Sequence, residues 1–210
     1  MLQMFNYETA GHSGTDTGRT SIFFPPIPRI SAMMQILNLC LAVVFASTAA
    51  HADGYKMPSF EFESIDGGVF NTKDWQGKPI LIVNTASMCG FTPQYTQMQK
   101  VHETYRDAGL VVLAVPSDDF NQEKDTVAEV KEFCEVTFGL TLPMTSIAKV
   151  KRGDIHPFYK WMKEAHRWTP KWNFNKVLIG PEGDVLGTWG SPVKPDSHQI
   201  TDLIKAELSM

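Results

Sequence analysis

The sequence predicts an α/β domain with a central mixed sheet flanked by helices and a β-hairpin added at its N-terminal end. Three observations predict it. Short apolar runs bounded by turn residues recur along residues 53–210, as strands buried on both faces require. Stretches of helical spacing separate the first two of these runs, so a strand–helix–strand order implies parallel pairing through a crossover. Two later runs are joined by a tight turn, which implies an antiparallel pair.

The elements follow in order. Ser59 to Trp75 alternates apolar and polar residues on both sides of Asp66-Gly67-Gly68, which reads as a hairpin. Ile80 to Asn84, after Gly77-Lys78-Pro79, is a continuous apolar run ending in one polar residue, a buried strand. From Pro93 to Asp107 the spacing of Tyr95, Met98, Val101 and Tyr105 is helical, and Gly109 stops it. Leu110 to Val115 is a second buried strand and Thr126 to Val136 a second helix. Pro157 to Ala165 is a third helix, with proline suited to its first turn. Val177-Leu178-Ile179, a turn at Pro181-Glu182-Gly183 and Val185 to Trp189 make an antiparallel pair, and a last helix runs from about Pro195 to Leu208. A βαβ half joined to a ββα half around one sheet is the thioredoxin arrangement.

The first 52 residues read differently. Residues 1–32, rich in Gly, Thr, Ser and Pro, have neither periodicity and are expected to be disordered or not translated, with a start at Met33 or Met34. Residues 33–52 hold an uncharged apolar stretch from Ile36 to Ala46 that ends at Ala50-His51-Ala52, the form of a secretory signal peptide with an A-x-A cleavage site. The stretch is too short for a spanning helix, which needs about 20 residues, and no stable membrane insertion is expected after cleavage. This points to a periplasmic or secreted protein. Of the three cysteines, Cys40 is lost with the signal, and Cys89 and Cys134 remain in a compartment that tolerates disulfides. The formal net charge of −4, without basic runs, gives no reason to expect a nucleic-acid or anionic-membrane partner and points to a small substrate.

Cys89 lies at a strand-to-helix junction, where unpaired N–H groups and the helix dipole favour a thiolate. Such junctions lower a thiol pKa from about 8.5 to roughly 3.5–7.5. Its motif is Cys89-Gly90-Phe91-Thr92, with threonine where a disulfide-exchange enzyme has its second cysteine. A sulfenic acid formed on Cys89 then escapes immediate capture, which is peroxidase chemistry.

The stretch Asn84-Thr85-Ala86-Ser87-Met88-Cys89-Gly90-Phe91-Thr92-Pro93-Gln94-Tyr95 resembles the active-site signature of the cysteine-containing glutathione peroxidases, the thioredoxin-dependent, non-selenium branch. Two further motifs resemble the family in order: Val115-Pro116-Ser117-Asp118-Asp119-Phe120-Asn121-Gln122-Glu123 and Lys171-Trp172-Asn173-Phe174-Asn175-Lys176. The middle motif has one residue fewer, no glycine, and Asp118 where the family usually has asparagine. The resemblance implies a thiol peroxidase acting on hydrogen peroxide and organic hydroperoxides, with Cys89 as peroxidatic thiolate. Gln122, Trp172 and Asn173 would then surround it with hydrogen-bond donors, a role their amides and indole N–H can fill.

Cys134 resembles the resolving cysteine of the same branch, which would attack the Cys89 sulfenic acid. A disulfide requires Cα atoms within about 7 Å, so a local unfolding of the second helix is expected. The short connection through His166-Arg167-Trp168-Thr169-Pro170 lacks what resembles a tetramer-forming insertion, so a monomer is expected, re-reduced by a thioredoxin-like donor or glutathione. His156 and His166 lack ligand spacing and read as surface residues; no metal or organic cofactor is implied. The competing readings are a thiol-disulfide exchange protein, disfavoured by Thr92, and a peroxide-sensing redox relay using the same residues.

Overall fold

The computed structural model describes residues 56–208. The expectations for residues 1–52, including the signal peptide and Cys40, lie outside the described residues. Strands β1 (Glu61–Glu63) and β2 (Val69–Asn71) pair antiparallel, Phe62 opposite Phe70, as the Asp66-Gly67-Gly68 turn predicts. Gly67 and Gly68 both take positive φ there, +89° and +78°, a conformation glycine enters without steric cost. The hairpin is shorter than its alternating pattern, because Thr72–Trp75 closes into a 3₁₀ turn capped by the Asn71 side chain.

A second sheet has the order β4-β3-β5-β6. Its strands are β3 (Ile80–Thr85), β4 (Val111–Pro116), β5 (Lys176–Ile179) and β6 (Val185–Trp189). β3 pairs parallel with β4, Ile80 opposite Val111, and antiparallel with β5, Ile80 opposite Ile179. The helices are α1 (Gln94–Tyr105), α2 (Val127–Phe138), α3 (Pro157–His166) and α4 (His198–Glu207).

Every residue of β3 is buried, and its alternation divides the core in two. Leu81 and Val83 pack with Tyr95, Met98 and Val101 of α1, Val130 and Cys134 of α2, and Ile200 and Ile204 of α4. Ile80 and Ile82 pack with Phe158, Tyr159 and Met162 of α3 and with Phe60 and Phe62 of the hairpin region. Burying a side chain of this size stabilises by about 1.5–3 kcal/mol, so this strand anchors both layers and fixes the position of the loop that leaves its end.

The helix boundaries have local causes. α1 passes into a 3₁₀ turn, Arg106–Ala108, and stops at Gly109 with φ +114°. Thr126 and Glu129 form a reciprocal capping box at the start of α2, and Gly139 ends it in the left-handed conformation. α4 begins at His198, later than Pro195, because Ser197 is extended at its N-cap. The histidine expectation is corrected in part. His156 is half-buried, caps α3 by accepting from the Phe158 N–H, stacks on Phe62 at 4.0 Å and contacts the Glu61 carbonyl. His166 is half-buried as well, edge-on to Trp161.

Candidate active site

Three segments converge beyond the C-terminal end of β3. Cys89 sits in a tight turn between β3 and α1, buried to 7% exposure. Its backbone N–H donates to Thr92 Oγ1 at 3.0 Å, and the Thr92 hydroxyl donates to the Ala86 carbonyl at 2.9 Å. The Phe91 N–H points at Cys89 Sγ, 3.5 Å away. Thr92, standing where an exchange enzyme has a second cysteine, is thus an internal brace of the turn, and a backbone donor is aimed at the sulfur.

The loop after β4 carries Gln122 and is fixed by its acidic residues. The Asp119 carboxylate, 3% exposed, accepts the N–H groups of Val150, Lys151 and Arg152 at 2.7, 2.6 and 3.2 Å through one oxygen. Asp118 Oδ1 accepts the Glu123 N–H at 3.1 Å. Asn121 has φ +55°, a left-handed conformation that asparagine tolerates better than most residues. It therefore makes the turn without the glycine that the resembled motif carries there. The loop meets the cysteine turn through two hydrogen bonds: Met88 N–H donates to the Gln122 backbone carbonyl, 2.9 Å, and Ser87 N–H to the Glu123 side-chain Oε1, 3.0 Å.

Trp172 and Asn173 arrive on the segment before β5, held by Asn84 at the end of β3. The Asn84 side chain donates to the Trp172 carbonyl at 3.0 Å and accepts from the Asn175 N–H at 3.1 Å, while its carbonyl accepts from the Phe174 N–H at 2.6 Å. Phe174, at φ +58°, takes the turn. Asn173, fully buried, donates from Nδ2 to Gln122 Oε1 at 3.0 Å. Trp172 stays 41% exposed with its ring 5.3 Å from that of Phe120.

The structure therefore brings Gln122 and Asn173 into direct contact and sets Trp172 beside them. It joins Gln122 to Cys89 through the Met88 backbone. Among the described residues none of the three side chains bonds the sulfur directly. Cys134 lies within α2 at 1% exposure, in the same apolar cluster as Cys89, and both thiols are free. Burial pushes the Cys134 thiol up to about 11, against a partly offsetting contact from the Tyr95 hydroxyl.

Behind the tryptophan segment lies a residue that sequence reasoning passed over as the tail of a motif. Lys176 is fully buried, and its ammonium donates to Gln94 Oε1 at 2.6 Å and the Phe174 carbonyl at 2.7 Å. Ser191 completes this network, its hydroxyl donating to the Asn173 carbonyl at 2.6 Å. Burial lowers the Lys176 pKa to about 7. The signal was present in the sequence: Asn84 and Lys176 are the polar residues at the ends of otherwise apolar strand runs, and buried polar groups must find partners.

The glutathione peroxidase family profile matches residues 57–163. A glutathione peroxidase of Lactococcus lactis subsp. cremoris is 37% identical over 150 residues, covering 68% of this chain and 96% of the relative. A hydroperoxy fatty acid reductase of Synechocystis is 37% identical, covering 65% of this chain and 88% of its own length. The apo crystal structure of Trgpx is similar at a TM-score of 0.57 and 29% identity, covering 75% of this chain and 96% of that one. A thiol:disulfide interchange protein of Chlorobium tepidum, at a TM-score of 0.54 and 18% identity over 73% of this chain and 95% of its own, shares the thioredoxin-like fold. With the profile, the relatives and the fold in agreement, the chain belongs to the glutathione peroxidase family.

Proposed function

We propose that Cys89 is the residue on which this thiol peroxidase reduces hydroperoxides, with Gln122, Trp172 and Asn173 as the donors around it and Cys134 as the resolving thiol. The Asn173–Gln122 hydrogen bond carries this reading. Because Gln122 Oε1 is occupied by Asn173 Nδ2, the side-chain NH₂ group of Gln122 is the part left to donate, and the Met88–Gln122 backbone link holds that residue next to the cysteine turn. In the first step the thiolate attacks one peroxide oxygen. An S–O bond forms, the O–O bond breaks, and the departing alkoxide or hydroxide takes up a proton. Donors aimed at that departing oxygen act on charge as it develops.

The sulfenic acid is then attacked by Cys134, giving a disulfide and water, and a thioredoxin-like protein or glutathione returns both thiols. Burial of Cys134 in α2 supports a partial opening of that helix within the cycle. Met88 and Trp172, 56% and 41% exposed, give the cysteine turn apolar neighbours that suit an organic hydroperoxide, and the Synechocystis relative is named for such a substrate. The apolar stretch ending at Ala50-His51-Ala52 supports export to the periplasm or beyond. The short chain between α3 and Trp172 supports a monomer.

Turnover with hydrogen peroxide and with cumene hydroperoxide, coupled to thioredoxin and its reductase or to glutathione and its reductase, tests the cycle. The Cys134→Ser variant should lose multiple turnover with the thioredoxin couple while keeping a single oxidation of Cys89. Undiminished turnover would remove the resolving role.

A further inference from the structure

Several of the buried polar atoms that lack a hydrogen-bond partner gather at one place behind the Cys89 turn. They are Thr85 Oγ1, Ser87 Oγ, the Tyr95 hydroxyl oxygen and Glu123 Oε2. They come from the end of β3, the cysteine turn, α1 and the loop after β4. The Tyr95 hydroxyl adjoins Thr85 and the Cys134 thiol, and the Ser87 hydroxyl lies against the Glu123 carboxylate, without either pair closing a bond of ordinary geometry. Glu123 is 3% exposed. Its Oε1 accepts the N–H groups of Ser87 and Lys124 at 3.0 and 2.9 Å, whereas Oε2 has no partner. A buried carboxylate oxygen left without a donor is costly, and this one belongs to a side chain that holds the Ser87 N–H, two residues from Cys89, and whose charge acts on the Cys134 thiol.

We propose that Glu123 is the proton acceptor of the resolving step: its free oxygen takes the Cys134 thiol proton through the intervening hydroxyls and returns it to the oxygen that leaves Cys89. The inference rests on Cys134 being the resolving thiol. The Cys134 S–H gives up its proton to Glu123 while α2 is closed, and once that helix opens the sulfur electron pair forms the S–S bond to Cys89. The S–O bond of the sulfenic acid breaks, and the hydroxide accepts the proton held on Glu123 and departs as water. No further oxidant or reductant is needed.

The electrostatics fit this exchange. Cys134 is surrounded by groups that oppose its ionisation: burial first, then the charges of Glu123 and of Glu135 on its own helix. Moving the proton onto Glu123 leaves one negative charge in the cluster instead of two. Glu123 is suited to receive it, because burial, with a smaller contribution from Asp118, raises its proton affinity above that of an ordinary carboxylate. The Ser87 hydroxyl and the Ser87 and Lys124 N–H groups pull the other way, and Tyr95 from α1 and Cys134 from α2 complete its surroundings.

Single-turnover experiments on the reduced full chain, oxidised with one equivalent of hydrogen peroxide and acid-quenched for mass spectrometry, follow sulfenic acid and disulfide separately. Glu123→Gln, which keeps an acceptor for Ser87 and Lys124, should slow disulfide formation on the order of 100-fold, well beyond any change in sulfenic acid formation. The parent's disulfide rate should rise with pH through the Glu123 titration, and this acid limb should vanish in Glu123→Gln and survive in Glu123→Asp. Disulfide formation at the parent rate and pH profile, or equal slowing of both steps, would overturn the proposal. Should Glu123→Gln fail to fold, Tyr95→Phe supplies the same comparison, with slower disulfide formation expected and parent kinetics overturning the relay. Cys134→Ser separates the two ideas. Accumulation of sulfenic acid in Cys134→Ser beside normal kinetics in Glu123→Gln defeats the proton acceptor alone, and rapid resolution without Cys134 defeats the resolving role and the acceptor together.

Discussion

Replacing Lys176 with methionine should make the stability of the protein respond to pH in a way that isolates this one residue. The ammonium is fully buried, its partners are the neutral Gln94 side chain and the Phe174 carbonyl, with the Ser191 carbonyl at 3.5 Å, and among the described residues no carboxylate pairs with it. Burial lowers its pKa to about 7 from an ordinary value of 10.5. Between those pH values the unfolded chain holds a proton that the folded chain has released, so stability rises with pH. The contribution is complete above the unfolded pKa and is lost as pH falls through about 7. At 1.36 kcal/mol per pKa unit, the gain between about pH 6.5 and 8.5 comes to about 2 kcal/mol. Lys176→Met lacks this term and leaves two acceptors unpaired, a pH-independent cost of about 1–3 kcal/mol each. Urea unfolding of both reduced proteins at several pH values, followed by tryptophan fluorescence, gives the difference directly, and the other titrating groups cancel in it. The destabilisation should grow by about 2 kcal/mol across that window. A difference independent of pH would show that the buried amine is not what titrates.

Other consequences can be measured separately. Asn121→Ala forces a left-handed residue that asparagine tolerates and alanine does not, so it should cost about 1–2 kcal/mol in chemical unfolding, and Asn121→Gly should be close to neutral. Asp119→Ala strips the acceptor from three N–H groups; a loss of at least about 3 kcal/mol is expected, with slower oxidation of Cys89 by peroxide because the Gln122 loop is unpinned. Thr126→Ala removes the capping box of α2. A stability loss of about 0.5–2 kcal/mol is expected, with faster alkylation of Cys134 in the reduced protein if opening of that helix governs its exposure. In the parent, iodoacetamide should modify Cys89 well before Cys134, whose thiol burial holds up at about 11; peptide mapping of partly labelled protein reads the order.

Most of the architecture was legible because it rests on periodicity. The apolar run Ile80–Val83 had to be a central strand, and Gly67, Gly68, Gly109 and Gly139 stand where the chain reverses or a helix stops. The α4 boundary was misplaced because Pro195 and Asp196 spend themselves on a turn before Ser197 caps the helix. At the site, the motifs gave Cys89, Gln122, Trp172 and Asn173, but their support was not readable from type and spacing. Asp119 and Glu123 look like ordinary surface charges in one dimension, whereas Lys176 left only the hint of a polar residue at the end of an apolar strand run. Their meaning depends on burial and on partners such as Val150 and Gln94, distant in sequence and brought in by the fold.

The account as a whole stands on Cys89 being the residue that reacts with peroxide. Stopped-flow oxidation of the reduced protein by hydrogen peroxide and by an organic hydroperoxide, beside Cys89→Ser, tests this most directly. Oxidation orders of magnitude faster than that of a free thiol, abolished in Cys89→Ser, is the predicted result. Oxidation at the free-thiol rate, or fast oxidation that survives the substitution, would contradict it.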